Sequence, residues 1–135
     1  MEELKGTAKI YIYMEQYTSK IIVTASQTAE AMGSGDMPVL ATPALVALME
    51  NAAMMAIRPL LEEGDTTVGG SINVQHLKPS PVGAEVEATA TLVQHEGRKF
   101  VFRIEAHQDD VLVGTAEHVR FSVNRQRFLS KLQGE

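Results

Sequence analysis

The chain has 135 residues, 44% of them hydrophobic and 21% charged, a balance that suits a folded domain and argues against long disorder. With 17 acidic and 12 basic side chains its formal net charge is -5, so it lacks the basic footprint of a general nucleic-acid binder. The absence of cysteine removes disulfides, thiolate metal sites and a cysteine nucleophile. No stretch approaches the roughly 20 apolar residues of a membrane span, and residues 1–9 carry no signal-like apolar run. The expectation is a soluble, cytoplasmic protein with neither nucleic-acid nor membrane partners. No repeat or linker divides it, so 1–135 reads as one domain.

Residues 8–13 alternate, and 19–24 contain the β-branched run Ile21-Ile22-Val23; both read as short strands. Residues 27–38 are polar, carry Gly33 and Gly35, and read as a short helix or loop. A helix is predicted over 43–57. Thr42 is its N-cap, Pro43 takes the first helical position, and Pro59 and Gly64 supply the stop. Only Glu50 and Asn51 interrupt its apolar residues, so it must be buried on several sides. Ala44, Ala47, Ala52, Ala53 and Ala56 would let a sheet approach closely.

Four strands are predicted next. In 66–77, Val68, Ile72 and Val74 share a face with His76. Lys78-Pro79-Ser80-Pro81-Val82-Gly83 forms a rigid turn. In 85–94, Val86, Ala88, Ala90 and Leu92 face one way. Glu96-Gly97 turns the chain into 99–108, where Phe100, Phe102, Ile104 and Ala106 share a side. Asp109-Asp110 turns it again into 111–123, and 124–132 reads as a terminal helix. The order is strand, long helix, then an antiparallel meander of four strands. This is an α+β architecture with the sheet wrapped on one helix. The sheet's edges and other face need cover, which makes a homodimer or a higher homo-oligomer the expected assembly.

The polar interruptions are the candidate chemistry. An unpaired, buried Glu50 is costly and would have a raised pKa; alternatively Glu50 and Asn51 mark a solvent-facing stripe. His76 ends a face expected to pack on the helix, where it either meets Glu50 as an acid/base partner or is structural. Thr42, as a cap, lies where a helix N-terminus favours negative charge. Glu50 is roughly 12 Å further along the axis and about 80° around it, so the two flank a substrate rather than touch. His95, His107 and His118 lack metal-ligand spacing and read as surface or structural residues. Gly69-Gly70 suggests a bulge or a close approach by a ligand. Arg120 shares a face with His118, Ala116 and Gly114; it is either exposed or paired with a polar or anionic ligand group. Phosphate-loop, dinucleotide and serine-nucleophile motifs are missing.

Val39-Leu40-Ala41-Thr42-Pro43, Leu48-Met49-Glu50-Asn51-Ala52, Thr67-Val68-Gly69 and Val74-Gln75-His76 together resemble the fluoroacetyl-CoA thioesterase-like family. The likeness runs from about 18 to 128 and includes Gly114-Thr115-Ala116-Glu117-His118-Val119-Arg120. It implies a hotdog fold, in which an antiparallel sheet wraps a long helix. It also implies hydrolysis of an acyl-CoA thioester with a small to medium acyl group. Thr42, Glu50 and His76 take the catalytic roles in this resemblance, with Glu50 as base on water or as nucleophile. Gly69 and Arg120 fall in the acyl pocket. The implied assembly is a homodimer with sites near the subunit interface and a channel for the pantetheine arm. No cofactor or metal is implied, because CoA is part of the substrate.

The chain departs from that family in Gly33-Ser34-Gly35-Asp36-Met37-Pro38, which has no aromatic residue where the fluoroacetyl-specific enzyme closes its pocket with phenylalanines. Met37 or Met32 would give a softer wall, for another small or medium acyl group. CoA phosphates would need local cations, and Lys78, Arg98, Arg125 and Arg127 are the candidates. Two other readings are a non-catalytic acyl-CoA-binding hotdog module and a hotdog hydratase/dehydratase acting on hydroxyacyl or enoyl thioesters.

Overall fold

The computed structural model describes residues 15–134; the strand expected at 8–13 lies outside them. Strand β1 is Gln16–Ile22. A 3-10 turn follows at Ala25–Gln27, then helix α1 at Ala29–Met32, capped by the Thr28 hydroxyl and closed by Gly33 at φ +75°. Helix α2 is Thr42–Ile57. Strands β2, Asp65–His76, β3, Glu85–Glu96, β4, Lys99–Gln108, and β5, Val111–Asn124, come next. Helix α3, Arg125–Leu132, ends the described chain, with the Asn124 side chain accepting from the Arg127 N–H.

The five strands form one antiparallel sheet in the order β1-β3-β4-β5-β2. The expected four-strand meander is therefore only three strands long. β2 pairs with β5, and its link to β3 is a crossover rather than a hairpin turn. The Lys78 to Gly83 segment is too long and too proline-rich for a hairpin. It packs on the segment before α2 instead: Leu40 N–H donates to Ser80 O, and Val39 bridges Pro81.

The inner face of the sheet holds Val86, Ala88, Ala90 and Leu92 from β3, with Phe100, Phe102, Ile104 and Ala106 from β4, all buried as the alternation requires. Against them α2 buries Ala44, Leu45, Leu48, Met49, Ala52, Ala53, Ala56 and Ile57. Ala47, expected among the close-packing alanines, is exposed; with Pro43 and Asn51 it marks the open stripe of the helix. The helix also comes close at Gly114 of β5, where a Cβ would lie 3.0 Å from Leu45 Cδ2 and 3.2 Å from Gln75 O. Asn51 ties the open stripe to β1 by accepting from Ser19 Oγ at 2.7 Å.

One register shift sets the faces of β2. Between Gly69 and Ser71 the pairing with β5 slips by a residue, which reverses the alternation. Ile72, Val74 and His76 face inward as expected. Val68 lies opposite Phe121 and does not share their face; Thr67 is the buried residue before the bulge.

Leu45 is fully buried between α2 and the sheet. Leu45→Ala should lower unfolding stability by about 2–5 kcal/mol, read as a fall in the urea midpoint with an unchanged slope.

Candidate functional site

Two polar groups lie along α2. The first is at its N-terminal end. Thr42 is not the N-cap: Ala41 is, with extended dihedrals and no side-chain capping bond. Pro43 in the first turn needs no N–H partner, so the helix starts without a capping hydroxyl. The Thr42 hydroxyl is thereby free to bond His76 Nδ1, at 2.7 Å. His76 Nε2 is buried and has no hydrogen-bond partner among the described residues. Burial pulls the His76 pKa down, and the backbone at Lys78 partly opposes it. A cavity of about 290 Å³ opens here, lined by Thr42, His76, Ala29, Ser34, Leu77 and Lys78 among others. Met37, expected in a pocket wall, is 59% exposed and does not line this cavity; Ser34 of the same segment does.

The second group surrounds Glu50. Its carboxylate is 3.8 Å from Arg120 Nη1, an ion pair longer than a hydrogen bond. The Glu50 side chain is 40% exposed, so the carboxylate is neither sealed in the core nor unpaired. It lies over the Gly69 backbone, where a Cβ would come within 2.8 Å of Oε2. Gly69 is thus required by the close approach of the Glu50 side chain, and the glycine pair marks the expected bulge.

Arg120 is buried, and three acceptors hold it. Nε donates to Thr67 Oγ1 at 2.9 Å, Nη2 to Thr67 O at 3.1 Å, and Nη1 to His118 Nε2 at 3.2 Å. Because a guanidinium only donates, His118 Nε2 must be the acceptor. Nδ1–H of His118 then donates to Ser71 O at 2.7 Å, which fixes one neutral tautomer. Burial pulls the His118 pKa down, and the positive charge of Arg120 adds to this. The Ser71 backbone and Glu50 oppose it. Burial also lowers the Arg120 pKa, against the attraction of Glu50.

His76 and Glu50 do not meet in one chain: His76 bonds Thr42, and Glu50 pairs with Arg120. Their separation follows from the two helical turns between Thr42 and Glu50. His118, read from sequence as surface or structural, and Thr67 belong to the second group as well. His118 was legible as a face partner of Arg120, whereas Thr67 needed the bulge. Among the described residues no three His, Asp or Glu side chains cluster as a metal site requires. None of the described helices is long and apolar enough to cross a membrane.

With both histidine pKa values depressed, the unfolded chain binds more protons as pH falls. The stability contributed by the neutral rings is complete above about pH 6.5, the ordinary value. It is lost as pH drops through the lowered folded-state values. The urea midpoint should fall between neutral and mildly acidic pH, and His118→Gln should flatten that fall.

Comparison with known proteins fits this geometry. Residues 23–126 match the family model for fluoroacetyl-CoA-specific thioesterase. The fluoroacetyl-CoA thioesterase of Streptantibioticus cattleyicolor is 32% identical over 125 residues, covering 88% of this chain and 90% of that protein. A solved fluoroacetyl-CoA thioesterase variant in complex with acetyl-CoA superposes with a TM-score of 0.86 at 28% identity, over 92% of this chain and 98% of that one. A hot-dog-like protein from Thermanaerovibrio acidaminovorans shares the fold, with a TM-score of 0.81 at 22% identity over 90% of each chain. On the extent of the family match and the identity to the curated relative, this hotdog-fold chain belongs to the fluoroacetyl-CoA-specific thioesterase family.

Proposed function

We propose that the protein hydrolyses an acyl-CoA thioester with a small acyl group to the free acid and CoA, with Glu50, Thr42 and His76 as the catalytic residues. The observation that carries this is the Glu50 carboxylate, held over the bare Gly69 backbone beside Arg120 yet open to solvent. A carboxylate so placed takes a proton from water as the water attacks the thioester carbonyl. Oxygen of the water bonds to the carbonyl carbon, the carbon–sulfur bond breaks, and the thiolate leaves and is protonated. The 3.8 Å ion pair orients the carboxylate without using up its lone pairs. Gly69 leaves room for the acyl group, and Arg120, fixed by Thr67 and His118, presents a donor to it.

The Thr42–His76 pair takes the other end of the open stripe. There His76 relays a proton and Thr42 orients the ring, with Nε2 facing inward unpaired. A homodimer formed on the free edge of β2 encloses this stripe at the subunit interface. The whole chain serves as a single domain in the cytoplasm. CoA enters as part of the substrate. With no aromatic residue between Gly33 and Pro38, that segment supplies no phenylalanine wall; its Ser34 lines the Thr42–His76 cavity.

Glu50→Ala should cut thiol release from acyl-CoA by about 100- to 10,000-fold with an unchanged circular dichroism spectrum. Near-normal turnover in that variant contradicts the assignment. In labelled water, heavy oxygen should enter the product acid and not the Glu50 carboxylate. Label in Glu50 would instead mark attack by the carboxylate itself.

A further inference from the structure

Away from both polar groups, three cations converge on a second hollow. A cavity of about 330 Å³ lies where α3 packs against the ends of β2 and β5, lined by Asp65, Arg98, Ser122, Asn124, Arg127 and Lys131 among others. That volume suits a small ligand group rather than a flat protein contact. Arg127 and Lys131 are one turn apart on α3 and project from the same side. Arg98 reaches in from the start of β4, its Nε–H donating to Ser122 O at 2.9 Å. This bond fixes the guanidinium plane and leaves its Nη donors for another group. The ion pairs found among the described residues involve Lys20 and Arg120, not these three cations. Only Asp65 opposes them in the lining, so the hollow is electropositive on a protein of net charge -5.

The hollow is also in line with the Glu50 group. Ser122 and Asn124 follow Arg120 on the same face of β5. Asp65 precedes Gly69 by about 13 Å of strand, a span that an extended pantetheine arm covers. Of the four cations suspected from sequence as phosphate ligands, only Arg98 and Arg127 come together, and Lys131 joins them. Lys78 lines the Thr42–His76 cavity, and Arg125 lines a separate one with Arg58.

We propose that Arg98, Arg127 and Lys131 form an anion subsite for the phosphorylated nucleotide end of the CoA substrate. The proposal rests on the thioesterase reading. Its chemistry is bidentate guanidinium recognition of phosphate with a lysine as point charge. The subsite serves binding and not the chemical step, so it acts on KM and leaves kcat alone.

The test compares acyl-CoA with the same acyl group on N-acetylcysteamine, which has no nucleotide, in the full chain and in the triple variant R98Q/R127Q/K131Q. The variant should raise KM for acyl-CoA at least tenfold, with kcat and all rates on the truncated thioester unchanged. Adenosine 3′,5′-bisphosphate should inhibit the unaltered protein competitively and the variant at least tenfold more weakly. A KM for acyl-CoA within twofold of the unaltered protein overturns the subsite, while continued hydrolysis leaves the thioesterase reading standing. Equal loss on both thioesters also overturns it, because the effect then does not depend on the nucleotide. If neither thioester is cleaved by the unaltered protein, the thioesterase reading fails. Calorimetric titration with adenosine 3′,5′-bisphosphate then decides the subsite: binding lost in the variant supports it, and no binding overturns it. Inorganic phosphate binding as tightly as the bisphosphate overturns the nucleotide assignment.

Discussion

A helix enclosed by a curved sheet can keep polar side chains only along the stripe that the sheet leaves open. In α2 that stripe carries Thr42, Asn51 and the half-exposed Glu50, while Leu45, Met49, Ala52, Ala53 and Ile57 are sealed against the sheet. Burial of the apolar faces therefore fixes where the carboxylate points. Moving Glu50 back by one position, to that of the fully buried Met49, would drive a charge into a dry core, at a cost of several kcal/mol. The same burial that holds the fold together sets the site, and the Ser19–Asn51 bond pins the edge of that stripe to β1.

The second constraint is a buried cation. Arg120 loses its hydration inside the sheet and regains partners from Thr67, His118 and the Glu50 carboxylate. His118 is two residues away on the same strand, whereas Thr67 and Glu50 are distant in sequence. The β-bulge at Gly69 turns Thr67 inward, and the period-two alternation of β5 puts His118 on the same face as the guanidinium. The neutral tautomer of His118 is dictated by Arg120, so protonating this ring opposes two donors to each other. The depressed pKa of His118 and the fixed direction of Arg120 are two expressions of one arrangement.

Much of this was legible in the sequence. Period-two alternation located β3 and β4 and their buried faces, and Pro43 with the apolar run located α2. Glu50 and His76 stood out as polar residues in apolar surroundings, and the glycine pair announced a close approach. The unreadable parts were non-local. Alternation alone put Val68 with Ile72, because a bulge adds a residue without changing composition. The crossover after His76 resembled a turn, because strand order depends on which neighbour offers the better face and not on the linker. Thr42 read as a cap because its chemistry suits one; the structure gives the cap to Ala41 and the hydroxyl to His76.

The central claim is that the open stripe of α2 supports thioester hydrolysis rather than ligand capture. Thiol release from a panel of acyl-CoAs, running from acetyl and fluoroacetyl to medium-chain and phenylacetyl, tests it most directly. The cysteine-free protein adds no thiol background to a dye-based readout. Release confined to the smaller acyl groups is the predicted result. Acyl-CoA bound across the panel with no thiol released would contradict it and make the protein a binding module.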